Sequence, residues 1–190
     1  MRLRLVATAV VAAAALAGCT NGGGSGTSST PTSGAASPEA VAYMDKVCGA
    51  ASEFAKVDKN TPRLDAGDPA KLKSEMAAYM GQLADAFVKS ADELRKVGPS
   101  PVAGGEEAVN KLTETFTSLS ALFADAKVKV EQADPNNANG GLQAAGVAIG
   151  RLSELADPLR DLKAVPELQK ATQAAPKCQE MQRLNVSPTS

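Results

Sequence analysis

Residues 105–130 read GEEAVNKLTETFTSLSALFADAKVKV. Within this stretch, apolar residues recur at intervals of three and four: Val109, Leu112, Phe116, Leu119, Phe123, Ala126 and Val130. Because an α-helix turns once in about 3.6 residues, this spacing places them on one helix face. Glu106 and Glu107 stand at the beginning, where the helix dipole favours negative charge. The stretch is therefore predicted to be a long amphipathic helix.

Two patterns of a cap residue followed by proline place helix starts earlier in the chain. Ser37-Pro38-Glu39 combines an N-cap residue with a first-turn proline and a first-turn acid, and Asp68-Pro69 repeats the cap and the proline. Gly98-Pro99 ends the second of these helices. The predicted buried positions are Val41, Met44, Cys48, Ala51 and Phe54 in the first helix, and Leu72, Met76, Met80, Leu83, Phe87, Leu94 and Val97 in the second.

The C-terminal third of the chain predicts a fourth helix and then an interrupted segment. Residues 134–141, DPNNANGG, are typical of a loop. The buried positions expected in the fourth helix are Leu142, Ala145, Ile149, Leu152 and Leu155. Pro158 and Pro166 then break the helical pattern, so we expect a kink and one or two short helices through Cys178.

Together these patterns predict an all-α fold. Short connections between four helices favour an antiparallel up-down bundle of about four main helices, with a kinked or broken C-terminal segment. Alternation of apolar and polar residues never persists long enough to predict a strand. The predicted helical domain covers residues 38–182, and residues 183–190 are expected to form a disordered tail.

Charged side chains on the predicted helices alternate in sign. Four acid–base pairs are spaced by four residues: Asp85–Lys89, Asp92–Lys96, Glu107–Lys111 and Asp125–Lys129. Each such pair stabilises an exposed helix by about 0.2–0.5 kcal/mol. A functional charge patch is the alternative, but mixed signs favour a solvated surface.

The N-terminus has the layout of a secretory signal. Arg2 and Arg4 precede an uncharged, mostly apolar stretch over residues 5–17, which is shorter than the roughly 18 residues needed to span a bilayer. The sequence then continues Leu16-Ala17-Gly18-Cys19. Here the chain resembles bacterial lipoprotein precursors, whose lipobox consists of Leu, two small residues and Cys.

This resemblance implies that the signal peptide, residues 1–18, is cut between Gly18 and Cys19. It also implies that Cys19 carries a diacylglyceryl thioether and a fatty acyl group such as palmitate. Two alternatives are an ordinary signal peptide with an incidental cysteine and the first strand of a core. Because two acyl chains bury far more CH₂ groups than one, the implied anchor is stable.

Residues 20–37, TNGGGSGTSSTPTSGAAS, contain no charged, aromatic or large aliphatic residue. Such a composition cannot bury enough apolar surface to offset the entropy of ordering, so residues 19–37 are predicted to be a lipidated cysteine and a disordered tether. The whole organisation is similar to that of small actinobacterial secreted lipoproteins. That similarity of layout assigns no activity to the helical domain.

The chain has three cysteines. If Cys19 is lipidated, Cys48 and Cys178 remain as an even pair in an oxidising compartment, and we predict a disulfide between them. In the chain-entropy model a closed loop of this length stabilises the fold by about 5 kcal/mol. A redox or metal-binding pair of thiols is the weaker alternative, since the two residues do not form a CxxC motif.

Composition argues against several functional classes. The chain has no His and no Trp, and 20 Lys and Arg stand against 21 Asp and Glu. The commonest general base and transition-metal ligand is therefore missing, and no basic face is available for nucleic acid. Two carboxylate pairs, Glu106 with Glu107 and Asp157 with Asp161, are better explained as helix-end partners of the dipole than as catalysts.

Gly146 and Gly150 form a small-xxx-small motif, which we expect to admit a neighbouring helix of the bundle. The predicted function is a non-catalytic interaction or scaffolding module on the extracytoplasmic face of the cell membrane. Its expected partners are the membrane, through Cys19, and an envelope protein; no catalytic residue, cofactor or metal site is expected. The alternative is a carrier or sensor for an apolar small molecule or lipid held between helices, and an enzyme ranks third.

Overall fold

In the computed structural model, which describes residues 34–58, 67–134 and 139–185, the chain is helical and contains no β-strand in those ranges. Its elements are α1 (Pro38–Asp58), α2 (Pro69–Arg95), α3 (Gly105–Gln132), α4 (Asn139–Gly150), a 3₁₀ helix (Arg151–Leu155), α5 (Ala156–Ala164), α6 (Pro166–Ala174) and α7 (Pro176–Asn185). The all-α prediction is confirmed. The expected number of about four main helices is wrong, since the described residues form seven α-helices.

Proline explains much of this division of the C-terminal segment. Pro166 and Pro176 each stand at the first position of a helix, where the missing N–H is not needed. Each therefore ends the preceding helix and begins the next. Pro158 behaves differently from the prediction: it lies inside the first turn of α5, and the regular α-helix has already ended at Gly150.

The helix starts expected from the cap residues are present. The Ser37 hydroxyl accepts a hydrogen bond of 3.2 Å from the Ala40 N–H, and the Asp68 carboxylate accepts one of 3.0 Å from the Lys71 N–H. Between α2 and α3 the chain turns through Gly98 and Gly104, both with positive φ, a conformation that glycine adopts without steric cost. These turn residues set the ends of the two longest helices.

A single hydrophobic core lies between the helices. Phe87 on α2 is fully buried and stands at its centre, with ring centroids 4.5 Å from Phe54, 5.4 Å from Phe116 and 5.6 Å from Phe123. All four phenylalanines of the chain thus belong to one cluster joining α1, α2 and α3. Other fully buried large side chains extend the core: Val47, Met80, Leu83, Leu112, Leu119 and Leu168.

The start and the buried face of α4 differ from the prediction. The helix begins at Asn139, inside the expected loop, and it buries Gly141, Ala145 and Ala148 while Leu142 and Ile149 are exposed. A Cβ atom on Gly141 would come within 3.0 Å of the Val130 Cα atom on α3. Because α4 lies this close to α3, only small residues fit at the contact, and the larger aliphatic residues face outward.

Some predicted features lie outside the described residues or extend beyond their expected limits. The predicted signal peptide, Gly18, Cys19 and the tether up to residue 33 all lie outside the described residues, as do residues 186–190. Helix α7 continues to Asn185, past the expected domain end at residue 182. None of the described helices is long and apolar enough to cross a membrane.

Candidate interaction surface

Three of the four carboxylates singled out in the sequence contact basic side chains on the exterior, and the fourth, Glu106, is exposed. Lys111 contacts Glu107 at 3.1 Å and Asp161 at 3.3 Å, and both hydrogen bonds raise the pKa of Lys111. Asp157 pairs with Arg160 at 2.5 Å. Solvated ion pairs of this kind contribute little free energy and do not provide the buried, convergent carboxylates that acid–base catalysis requires.

Two of the four predicted acid–base pairs are replaced by other partners. Glu107–Lys111 and Asp125–Lys129 form as expected. Lys96 instead contacts Glu93 at 2.8 Å, and Lys89 contacts Glu53 on α1 at 2.8 Å. The side chains of Lys89 on α2 and Glu53 on α1 are long enough to meet across the interface between the two helices. This contact replaces the expected pair of Asp85 and Lys89 within α2.

Four surface grooves have volumes between about 390 and 620 Å³. Their walls are mainly charged, hydroxyl-bearing or small, and none of the four includes a Leu or Phe side chain. A carrier of an apolar ligand would need a cavity lined by such residues. These grooves therefore give the carrier alternative no support.

The groove between α1 and α2 carries charged side chains of both signs. It is lined by Lys46, Gly49, Ala50, Glu53, Lys89, Glu93, Lys96 and Val97. Glu53 accepts hydrogen bonds from both Lys56 and Lys89, which hold the pKa of its carboxyl below the ordinary value. Because both signs of charge are present and paired, the groove does not select a ligand of one charge.

The outward side of α4 is the most apolar exposed surface of a single helix. Leu142 is 36% exposed, Ile149 41% and Val147 55%. The twelve residues of α4, NGGLQAAGVAIG, include no charged side chain. We refer to the exposed residues Leu142, Gln143, Gly146, Val147, Ile149 and Gly150 as the α4 face.

Two glycines occupy the middle of the α4 face, and larger side chains lie on either side of them. At 100° per residue, Gly146 and Gly150 fall near the middle of its exposed arc, with Leu142 and Ile149 along one margin and Val147 along the other. A Cβ atom added at Gly146 or Gly150 would meet nothing within 4 Å. The middle of the face is therefore bare backbone, with Leu142 and Ile149 on one side and Gln143 followed by Val147 on the other.

This geometry corrects the expectation for the Gly146-x-x-x-Gly150 motif. No helix among the described residues approaches the two glycines. The contact of α4 with the rest of the fold uses the opposite side, where Gly141, Ala145 and Ala148 are buried. The motif therefore faces away from the core, and no described residue covers the two glycines.

The predicted disulfide is confirmed. Cys48 on α1 and Cys178 on α7 are bonded with an S–S distance of 2.05 Å, and both residues are buried. The Asp45 carboxylate also accepts a hydrogen bond from the backbone N–H of Lys177. These two links fix α7 on α1 and leave the cysteines without the exposed thiol that redox chemistry would use.

Among described residues no group of three or more Cys, Asp or Glu side chains is arranged to hold a metal ion.

The sequence pattern does not predict the α4 face, because helical periodicity places Leu142 and Ile149 in the core. One sequence feature does indicate an unusual surface for this helix: residues 139–150 contain no charge and intersperse large apolar residues with glycine.

No protein-family model matches this chain, and neither a curated protein nor a solved structure matches it.

Proposed function

We propose that the protein is a non-catalytic interaction module, anchored by a lipid on Cys19 to the extracytoplasmic face of the cell membrane. The observation that carries the interaction role is the α4 face, where three aliphatic side chains and two open glycines are exposed on an uncharged helix. Exposed apolar side chains cost free energy in water, and their grouping on one side of α4 supports a contact there.

The anchor is supported by the lipobox pattern Leu16-Ala17-Gly18-Cys19 and by the uncharged residues that follow it. Metabolic labelling with a clickable fatty acid tests it. The full precursor should take up label, and the Cys19→Ala precursor should not. Label on the Cys19→Ala precursor would contradict the proposal.

We also propose that α1 to α4 follow one another in an antiparallel up-down order. Gly81 on α2 lies against Lys127 on α3, and Arg95 on α2 donates a hydrogen bond to Thr117 on α3. Residue numbers therefore rise along α2 as they fall along α3, which supports opposite directions. Spin labels should be closer together on Ser74 and Gln132 than on Ser74 and Asn110.

Photo-crosslinking in cells tests the interaction role. With p-benzoylphenylalanine in place of Val147, irradiation should give a covalent protein adduct. The same group in place of Gln173, which is exposed on α6, provides the matched control and should give at least tenfold less. Adducts of equal yield at both positions, or none at Val147, would contradict a specific contact at the α4 face.

The carrier alternative predicts a different result. Purification from the native envelope should then recover one apolar small molecule or lipid per chain, in addition to the acyl groups on Cys19. Mass spectrometry of the extracted lipids distinguishes the two proposals, because an interaction module should carry no such stoichiometric ligand.

A further inference from the structure

We infer that Met181 on α7 is a site of modification by peroxide, and that its oxidation to the sulfoxide weakens the packing of the end of α7 on the core. The inference is independent of the proposed function. Three observations support it: the burial of the other methionines that the structure describes, the position of Met181 against the core, and the disulfide at the beginning of the same helix.

Exposure distinguishes Met181 from the other methionines. The chain has five, of which Met1 lies outside the described residues. Met44 is 3% exposed, Met76 7% and Met80 0%, whereas Met181 is only partly buried. Because oxidation requires the oxidant to reach the sulfur atom, Met181 is the described methionine most open to dissolved peroxide.

The reaction needs no group of the protein other than the thioether. The Met181 Sδ atom attacks one oxygen of hydrogen peroxide, the O–O bond breaks and an S–O bond forms. The proton on the transferred oxygen moves to the departing hydroxide, which leaves as water. The sulfur loses two electrons and the peroxide gains two, so atoms and electrons balance. The product, methionine sulfoxide, is polar where the thioether is apolar.

The position of Met181 gives this change of polarity a structural effect. Residues 179–183 read QEMQR, so Met181 is the one apolar side chain among them, and it packs against the core. Glu180, Gln182 and Arg183 are exposed. A sulfoxide in the same place would bring a polar oxygen against apolar side chains, which costs free energy unless a donor is available. We therefore expect the oxidised side chain to turn toward water and the end of α7 to pack less firmly.

The disulfide limits how much of the helix is affected. Cys178 lies in the first turn of α7 and is bonded to Cys48 on α1, and the Asp45 carboxylate accepts a hydrogen bond from the Lys177 N–H. These contacts do not involve Met181, so the first turn should stay in place when the sulfoxide forms. The effect should therefore be confined to the residues after Cys178.

The test treats the folded protein, purified from its cells in detergent, with hydrogen peroxide. Peptide mapping by mass spectrometry measures the gain of one oxygen at each methionine separately. Met181 should be oxidised at least about tenfold faster than Met44, Met76 and Met80. After oxidation, hydrogen exchange of the backbone amides of residues 182–185 should be at least about threefold faster, while exchange in α3 should not change.

Two leucine variants provide the controls, because leucine keeps nearly the apolar volume of methionine without the sulfur atom. Met181→Leu should abolish the response of α7 to peroxide, and Met80→Leu should leave it unchanged. Oxidation of a buried methionine as fast as that of Met181, unchanged exchange in α7 once Met181 is oxidised, or a response that persists in Met181→Leu would each overturn the inference.

Discussion

The Asp45 carboxylate on α1 accepts a hydrogen bond of 2.7 Å from the backbone N–H of Lys177, in the first turn of α7. The two residues are 132 positions apart in the chain. The first N–H groups of a helix have no partner within it, and a negative charge there is also favoured by the dipole. A side chain of the first helix therefore caps the last one.

Replacing this cap should weaken the fold. Asp45→Ala is expected to lower the free energy of unfolding by about 0.5–2 kcal/mol, the usual cost of losing an N-cap. Urea unfolding followed by circular dichroism measures the change. Asp85→Ala provides the control, because Asp85 is exposed in the middle of α2, away from either helix end; its effect should stay within about 0.5 kcal/mol. Equal losses in both variants would contradict the role of Asp45.

Removal of the disulfide should lower the free energy of unfolding more than the loss of the Asp45 cap does. The Cys48→Ser, Cys178→Ser double variant is expected to lose about 2–5 kcal/mol of unfolding free energy, since the bond closes most of the folded chain into one loop. Comparing the urea midpoints of the two proteins measures the loss. Reductant should lower the midpoint of the parent and leave that of the double variant unchanged. A parent that is insensitive to full reduction would refute the prediction.

Two glycines should respond in opposite ways to alanine. At Gly105 a Cβ atom would overlap the Ser100 Oγ atom and come within 3.0 Å of the Leu168 Cδ1 atom. Gly105→Ala should therefore lose about 1–3 kcal/mol through overpacking. Gly146→Ala should gain about 0.5–1 kcal/mol in dilute solution, because the site is open and alanine has the higher helix propensity.

The overlap at Gly105 can be tested further with a double variant. Adding Ser100→Gly to Gly105→Ala removes the hydroxyl that stands in the way and should recover part of the lost stability. The coupling between the two substitutions, measured by a double-mutant cycle in urea, should be at least about 0.5 kcal/mol. Strictly additive effects would show that the two residues do not interfere.

Tyr43 should make stability sensitive to alkaline pH. Its hydroxyl is buried and has no hydrogen-bond partner among the described residues, while the Ser100 hydroxyl donates to the Val102 carbonyl. Burial raises the pKa of Tyr43; the negative charge of Glu106 adds to this, and the nearby Ser100 hydroxyl opposes it. The folded state thus keeps the phenol proton more tightly than the unfolded state does.

This difference in pKa between the folded and unfolded states determines how the free energy of unfolding changes with pH. The stability linked to Tyr43 is complete below its unfolded pKa, about 10, and is lost as pH rises through the folded value. Tyr43→Phe should be as stable as the parent or more stable at pH 7, because no unpaired hydroxyl is buried. As the pH rises above about 10, the parent should lose more unfolding free energy than the variant. Parallel pH profiles would rule out this contribution.

The sequence predicts a helix boundary correctly where neighbouring residues, such as a cap or a proline, determine it. Asp68-Pro69 marks the start of α2 because the carboxylate caps the helix and the proline needs no partner. The pairing of Cys48 with Cys178 followed from counting thiols. The beginning of α4 could not be predicted, since Gly140 and Gly141 favour a loop locally and become helical where α4 lies against α3.

The close packing of α4 against α3 also explains why the sequence does not reveal the α4 face. Helical periodicity alone assigns the larger aliphatic residues, Leu142 and Ile149, to the buried side. The distance between two helices is a property of the assembled fold, and where it is short the smaller residues face inward. Ala145 and Ala148 are buried for this reason, and the aliphatic residues become surface.

The bond between Cys48 and Cys178 also determines what a protease can release. A single cut anywhere between these residues leaves both fragments in one covalent molecule, which separates only when a reductant is added. If the chain is anchored at Cys19, the fragment that begins after the cut stays on the membrane through Cys178. Nicked protein would then remain on the membrane and migrate with the intact chain in gel electrophoresis performed without reductant.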